Sequence, residues 1–74
     1  MNRVTLFTKP GCTLCDAAKA VLVREAIEFS EVDINSDPGL KGEYGWFIPV
    51  VEVGGDRVFE AGMDPEELPA LIRR

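Results

Sequence analysis

Histidine is absent from the chain, and cysteine occurs only twice. The first absence removes imidazole acid–base chemistry, Cys–His nucleophile pairs and the usual Cys2His2 zinc sites. The second leaves at most one disulfide, so the fold cannot rest on a disulfide framework. No apolar run approaches the ~18 residues of a membrane span, and no basic face is present. The net charge is −5, with acidic and basic residues interleaved, which leaves no electrostatic footprint for DNA or RNA. Met1-Asn2-Arg3 leads straight into an apolar run without a signal-peptide pattern, so the expectation is a soluble, cytoplasmic protein with neither nucleic acid nor membrane as partner. With 74 residues, a single domain over 1–74 is expected, with one modest core. The remaining candidates for chemistry are sulfur and carboxylates.

What is present has a clear order. Val4–Thr8 is a short apolar and β-branched run closed by Lys9-Pro10-Gly11, which predicts a buried strand and a turn. From Thr13 the period changes, and Leu14, Ala17, Ala18, Val21 and Leu22 follow three-four spacing, predicting an amphipathic helix to about Ile27. Glu28–Ile34 reads as a second strand whose mixed faces suit a sheet edge. Ser36-Asp37-Pro38 supplies a cap and a first-turn proline for a short helix to about Tyr44. Pro49–Val53, Gly54-Gly55 and Asp56–Glu60 form a hairpin pattern. Asp64-Pro65-Glu66-Glu67 then starts a last helix with Leu68, Leu71 and Ile72 as its apolar stripe. The predicted order is β-α-β-α-β-β-α, an α/β fold. Its four-stranded mixed sheet has two parallel strands from the βαβ unit and two antiparallel ones from the hairpin, and helices flank it.

Cys12-Thr13-Leu14-Cys15 falls where the first turn becomes the first helix. Unsatisfied N–H groups and the dipole at a helix N-terminus stabilise an anion, so Cys12 is expected to ionise more readily than a free thiol. Residues three apart on a first turn are neighbours, which lets the two sulfurs close a bridge. Three plainer readings compete. A structural disulfide closing about four residues contributes only ~1.9 kcal/mol on the chain-entropy formula. A CxxC is half a zinc or iron–sulfur site, and the chain holds no second half. Two inert, buried cysteines are the third, which the helix-start position argues against. Lys9 is placed to set a positive charge near the sulfur or to meet a ligand carboxylate, and Thr13 to hydrogen-bond a thiolate or cap the helix. Asp16 opposes a thiolate by charge while favouring the helix start.

The run Lys9–Cys15, the Ile48-Pro49 ahead of the hairpin and Gly62-Met63-Asp64 together resemble the glutaredoxins of the thioredoxin superfamily, over essentially the whole chain. Small bacterial-type glutaredoxin-like proteins share a pattern similar to Asp37-Pro38, Tyr44-Gly45 and Ile48-Pro49-Val50-Val51. The resemblance implies the thioredoxin-like fold, with Cys12 as nucleophile, Cys15 as resolving cysteine and no tightly bound cofactor or metal. It also implies a cis Ile48–Pro49 bond whose backbone meets an extended substrate. Gly62 and Asp64 are implied beside a bound thiol, with a plain helix cap as the other reading of Asp64. Two departures stand out: Thr13-Leu14 replaces the usual aromatic-containing pair, and Ala61 precedes Gly62 where a second glycine is usual. Glutathione is the co-substrate that the resemblance implies, and both departures fall where the family meets it. The implied activity is a monomeric thiol-disulfide oxidoreductase that reduces protein or small-molecule disulfides, re-reduced by glutathione or a thioredoxin-reductase-type partner. The alternative is a glutathione-assisted iron–sulfur carrier through Cys12 in a dimer.

Overall fold

The computed structural model describes residues 3–74. Met1 and Asn2, read above as leading into the first strand, lie outside those residues. Strand β1 (Val4–Thr8) is followed by helix α1 (Thr13–Arg24), strand β2 (Ser30–Asp33), helix α2 (Pro38–Tyr44), strands β3 (Val50–Val53) and β4 (Asp56–Phe59), and helix α3 (Leu68–Arg73). The sheet order is β2-β1-β3-β4, with β1 parallel to β2 and antiparallel to β3, and β3 antiparallel to β4. This is the expected β-α-β-α-β-β-α arrangement.

Alternation along the strands divides the core in two. Val4, Leu6, Val51 and Phe59 face α1 and α3, where they meet Ala18, Val21, Leu22 and Leu68. Phe7 and Val50, one residue out of phase, face the other way and pack with Ile34, Tyr44, Ile48 and Cys15. The period of two thus sends each strand's apolar residues to both faces, as a sheet covered on both sides requires. At the turn joining β3 to β4, Gly54 and Gly55 take φ of 60° and 89°, the pair of positive values that a two-residue hairpin turn of this hand needs.

Three boundaries differ from the sequence reading, each for a local reason. Helix α1 stops at Arg24 instead of reaching Ile27, because Ala26 turns left-handed at φ 55°. The Ala26 N–H then donates to the Val23 carbonyl and the Ile27 N–H to the Leu22 carbonyl, the double closure of a Schellman cap. Strand β2 ends at Asp33, whose carboxylate accepts the Asn35 N–H at 2.8 Å and opens a 3-10 turn over Ile34–Ser36. The last helix begins as a 3-10 turn over Pro65–Glu67 and turns α-helical only from Leu68. Pro69 has no N–H to give the Pro65 carbonyl, so the first turn closes through the Leu68 N–H instead.

The apolar stripe of α1 is also rotated from its predicted position. Cys15, Ala18, Val21 and Leu22 are buried, whereas Leu14 and Ala17 face outward. The rotation takes Cys15 into the core and leaves Leu14 on the surface beside the cysteines.

Candidate functional site

The site is built where β1 ends. Gly11 takes φ 79°, a left-handed conformation that turns the chain from the strand into the helix without a Cβ penalty. Cys12 follows in an extended conformation as the N-cap of α1. Its sulfur accepts the Cys15 N–H at 3.2 Å, and its carbonyl accepts the Asp16 N–H at 3.1 Å. Thr13, considered above as a possible cap, is instead the first helical residue and is exposed; the cap is the cysteine itself.

Cys12 and Cys15 are joined as a disulfide with their Cα atoms 5.2 Å apart. Their surroundings differ sharply. Cys15 is 1% exposed within the second core cluster, whereas Cys12 is half-buried and packs against that cluster from outside. A sulfur at the cap of a 12-residue helix sits at the positive end of the dipole, which stabilises negative charge there within the first turn.

The second wall comes from the segment between α2 and β3. Ile48 is buried in the same cluster as Cys15, and the Ile48–Pro49 peptide is cis. The segment is fixed at Phe47 through both of its backbone groups: the Phe47 N–H donates to the Tyr44 carbonyl at 2.9 Å, and the Phe47 carbonyl accepts the Ala61 N–H at 2.9 Å. That second bond draws the loop carrying Gly62 up against Phe47. Gly62 itself has φ 97°, so the position before Met63 suits a glycine even though Ala61 precedes it.

The other sequence-derived residues divide. Asp64 is exposed, and its carboxylate accepts the Glu66 N–H at 3.0 Å, the plain capping role. Lys9 is exposed and lines an open cleft of about 350 Å³ with Thr8, Pro10, Asp16, Glu31 and Asp33. Glu31 in that cleft is paired with Lys19 at 3.0 Å. Among the described residues no three potential metal ligands gather, and no described helix is long and apolar enough to cross a membrane.

Two features of this end of the molecule have no signal in the sequence pattern. The Tyr44 hydroxyl donates to Glu52 at 2.8 Å while its ring stacks on Phe7 with centroids 4.1 Å apart. That hydrogen bond to Glu52, with burial and the charges of Glu52 and Glu43 behind it and Arg57 opposing, pushes the phenol up to about 12. The Arg57 guanidinium lies 5.4 Å from the ring centroids of both Tyr44 and Phe47, a cation–π contact to each. These contacts hold α2, β3 and the Phe47 segment together behind the cysteines. The second feature is Trp46, which is 90% exposed.

Comparison with known proteins agrees with this geometry. The profile of the glutaredoxin-like domain matches residues 3–73. Thioredoxin of Methanocaldococcus jannaschii is 29% identical over an alignment of 79 residues that covers 97% of this chain and 93% of that protein. The global transcriptional regulator Spx of Streptococcus pyogenes is 32% identical over 91 residues, covering 96% of this chain and 68% of the regulator. Among solved structures, a structural-genomics target protein from X. campestris superposes with a TM-score of 0.79 at 32% identity, over 90% of this chain and 91% of that one. The solution structure of glutaredoxin from Brucella melitensis superposes with a TM-score of 0.69 at 30% identity, over 99% of this chain and 90% of that one. With a thioredoxin-like sheet, a CxxC pair at the start of its first helix and a family profile matched across residues 3–73, the chain belongs to the glutaredoxin-like domain family of the thioredoxin superfamily.

Proposed function

We propose that the protein is a thiol-disulfide oxidoreductase in which Cys12 attacks and Cys15 resolves. The observation that carries this reading is the unequal placement of two bonded cysteines, one capping α1 with its sulfur and the other enclosed behind it. In the reduced protein, the Cys12 thiolate attacks one sulfur of a substrate disulfide. The substrate S–S bond breaks, one substrate thiolate leaves and takes a proton from water, and Cys12 is left in a mixed disulfide. Cys15 then gives up its proton and attacks the Cys12 sulfur, which expels the second substrate thiol and forms the Cys12–Cys15 disulfide. Two electrons have passed from the protein to the substrate.

The fixed backbone at Phe47 and Ile48 offers an extended substrate a place to lie beside Cys12. Return to the dithiol needs two electrons from outside, from glutathione or from a thioredoxin-reductase-type partner, and the protein is expected to work as a cytoplasmic monomer. Lys9 stands on the exposed side of the turn, available to a substrate carboxylate.

The test is trapping. Cys15→Ser should accumulate a mixed disulfide at Cys12 that intact-mass spectrometry detects, and Cys12→Ser should accumulate none. Trapping by neither variant, or equally by both, would refute the assignment of roles.

A further inference from the structure

Large apolar side chains stand exposed on both segments that form the cysteine site, the start of α1 and the stretch between α2 and β3. Trp46 is 90% exposed, Leu14 59% and Phe47 44%. Leu14 lies between the two cysteines on the first turn of α1. Trp46 is two residues from Ile48, which shares its cluster with Cys12 and Cys15, so chain geometry keeps the Trp46 and Ile48 Cα atoms within roughly 7 Å of each other. The backbone that carries Trp46 is held in place by the two hydrogen bonds of Phe47, to the Tyr44 carbonyl and from the Ala61 N–H. Arg57 covers part of the Phe47 ring, while the neighbouring indole stays in solvent. A rigid, large aromatic that is exposed on a fixed backbone is the kind of residue that gives contact area at low entropic cost.

The chemistry of the patch limits what can occupy it. Its only bond-making groups are the two sulfurs, so the occupant has to carry a disulfide to Cys12. Glutathione consists of glutamyl, cysteinyl and glycyl units and has no apolar side chain to lay on an indole or a leucine. A polypeptide does. An extended segment advances roughly 3.3 Å per residue, so a side chain two positions from the substrate cysteine lies about 7 Å from it. With the substrate cysteine opposite Ile48, such a side chain is within reach of Trp46, two residues away along the chain.

Building on the thiol-disulfide reading above, we propose that Trp46, next to Phe47 in the chain, is a specificity surface. It selects protein disulfides in which a large apolar residue stands within two positions of the cysteine, in a segment that can extend along Ile48. The reaction is the two-electron exchange already described: one substrate disulfide becomes two thiols as the Cys12 and Cys15 thiols become a disulfide. Trp46 acts by contact with the substrate segment and takes no part in the bond changes.

The experiment is single-turnover reduction by pre-reduced protein of two disulfide-linked peptide dimers matched in length and charge. One carries Phe two residues before the cysteine, and the other carries Ser there. The wild type is expected to react with the Phe peptide about tenfold faster, equivalent to about 1.4 kcal/mol. In Trp46→Ala the preference should fall below about twofold while the Ser-peptide rate stays within about twofold of the wild type. Trp46→Phe should keep most of the preference, which separates the loss of an aromatic contact from a disturbed loop.

Equal wild-type rates on the two peptides, or a preference that survives Trp46→Ala, would overturn the proposal while leaving the oxidoreductase reading intact, since the Ser peptide would still be reduced. Reaction with neither peptide would overturn both. Sedimentation of the wild type as a dimer that Trp46→Ala converts to monomer would assign the patch to a second copy of the chain and likewise overturn the proposal.

Discussion

Tyr44 is the only tyrosine in the chain, so its ionisation can be followed directly by tyrosinate absorbance in the near ultraviolet. Its hydroxyl is bonded to the Glu52 carboxylate at 2.8 Å, and its ring is buried against Phe7. These surroundings move the phenol from its ordinary 10.0 to about 12, the hydrogen bond to Glu52 being the largest cause. Because the folded value is raised above the unfolded one, the bond contributes its full stability below pH 10 and loses it as the pH rises toward about 12.

The perturbation is Tyr44→Phe. It removes a hydrogen bond to a charged acceptor, a contribution of about 1.5–2 kcal/mol. The cost should lie at the lower end of the usual range for such bonds, because Glu52 is half-exposed and faces Arg57 across the β3–β4 ladder, so its carboxylate is not left without company. In a domain of this size about 1 kcal/mol corresponds to ~4–8 °C in Tm, so a drop of about 6–16 °C is expected at neutral pH. That gap between wild type and variant should close as the pH is raised from 10 toward about 12. Titration of the oxidised wild type should place the tyrosinate midpoint near 12, and Glu52→Gln, which keeps an acceptor oxygen but removes its charge, should bring it down toward 10.0. A wild-type midpoint near 10, or one that Glu52→Gln does not move, would refute the reasoning.

Other expected outcomes rest on separate parts of the fold. Ala26→Gly relieves a left-handed alanine at the Schellman cap of α1 and should raise stability by about 0.5–1 kcal/mol in denaturant unfolding. Asp64→Ala removes the carboxylate that accepts the Glu66 N–H and should lower stability by about 1 kcal/mol; if the residue is a cap alone, KM for a glutathionylated substrate stays unchanged. In the reduced protein at mildly acidic pH, iodoacetamide should modify Cys12 well before Cys15, which is 1% exposed. Peptide mapping that finds the two alkylated at equal rates would contradict the proposed division of labour.

How far the sequence carries the fold can be judged from particular residues. The change from a period of two at Val4–Thr8 to three-four spacing after Thr13 locates β1 and α1, because each period is a direct consequence of backbone geometry. Gly54-Gly55 marks the hairpin for the same kind of reason, since few other residues adopt two successive positive φ angles. The phase of the α1 stripe is not fixed in this way. Three-four spacing fits a stripe through Leu14 and Ala17 as well as one through Cys15 and Ala18, and only the placement of α1 against the sheet decides between them. The left-handed Ala26 is invisible because alanine carries no turn signal, and the 3-10 start of the last helix follows from Pro69, whose missing N–H acts four residues upstream. The pair of cysteines is legible as a redox-type motif from its place at a helix start. The contact of Tyr44 with Glu52, and of Arg57 with two rings, depends on which residues of β3 and β4 face α2, a matter of three-dimensional register.

That register bears on the proposed chemistry through the difference between the two sulfurs. Cys12 caps α1, so the N–H of Cys15 already points at its sulfur before any substrate arrives. A thiolate in that position accepts the same hydrogen bond more strongly than a disulfide sulfur does, because bonds to charged acceptors are about twice as strong as neutral ones. The helix start therefore favours the reduced form at the attacking position, while Asp16 one turn in opposes it by charge. Cys15 experiences the opposite environment, enclosed among Phe7, Ile34, Tyr44, Ile48 and Val50. An external disulfide has no route to a sulfur so enclosed, but a mixed disulfide on Cys12, whose Cα lies 5.2 Å away, is within its reach. Burial of the second cysteine supports the order of the proposed exchange, in which attack begins at Cys12 and Cys15 reacts with what Cys12 has captured. The packing that encloses Cys15 depends in turn on Tyr44 and Ile48, which the Glu52 and Phe47 hydrogen bonds hold in place, so the stability of that second cluster and the order of the chemistry have a common structural origin.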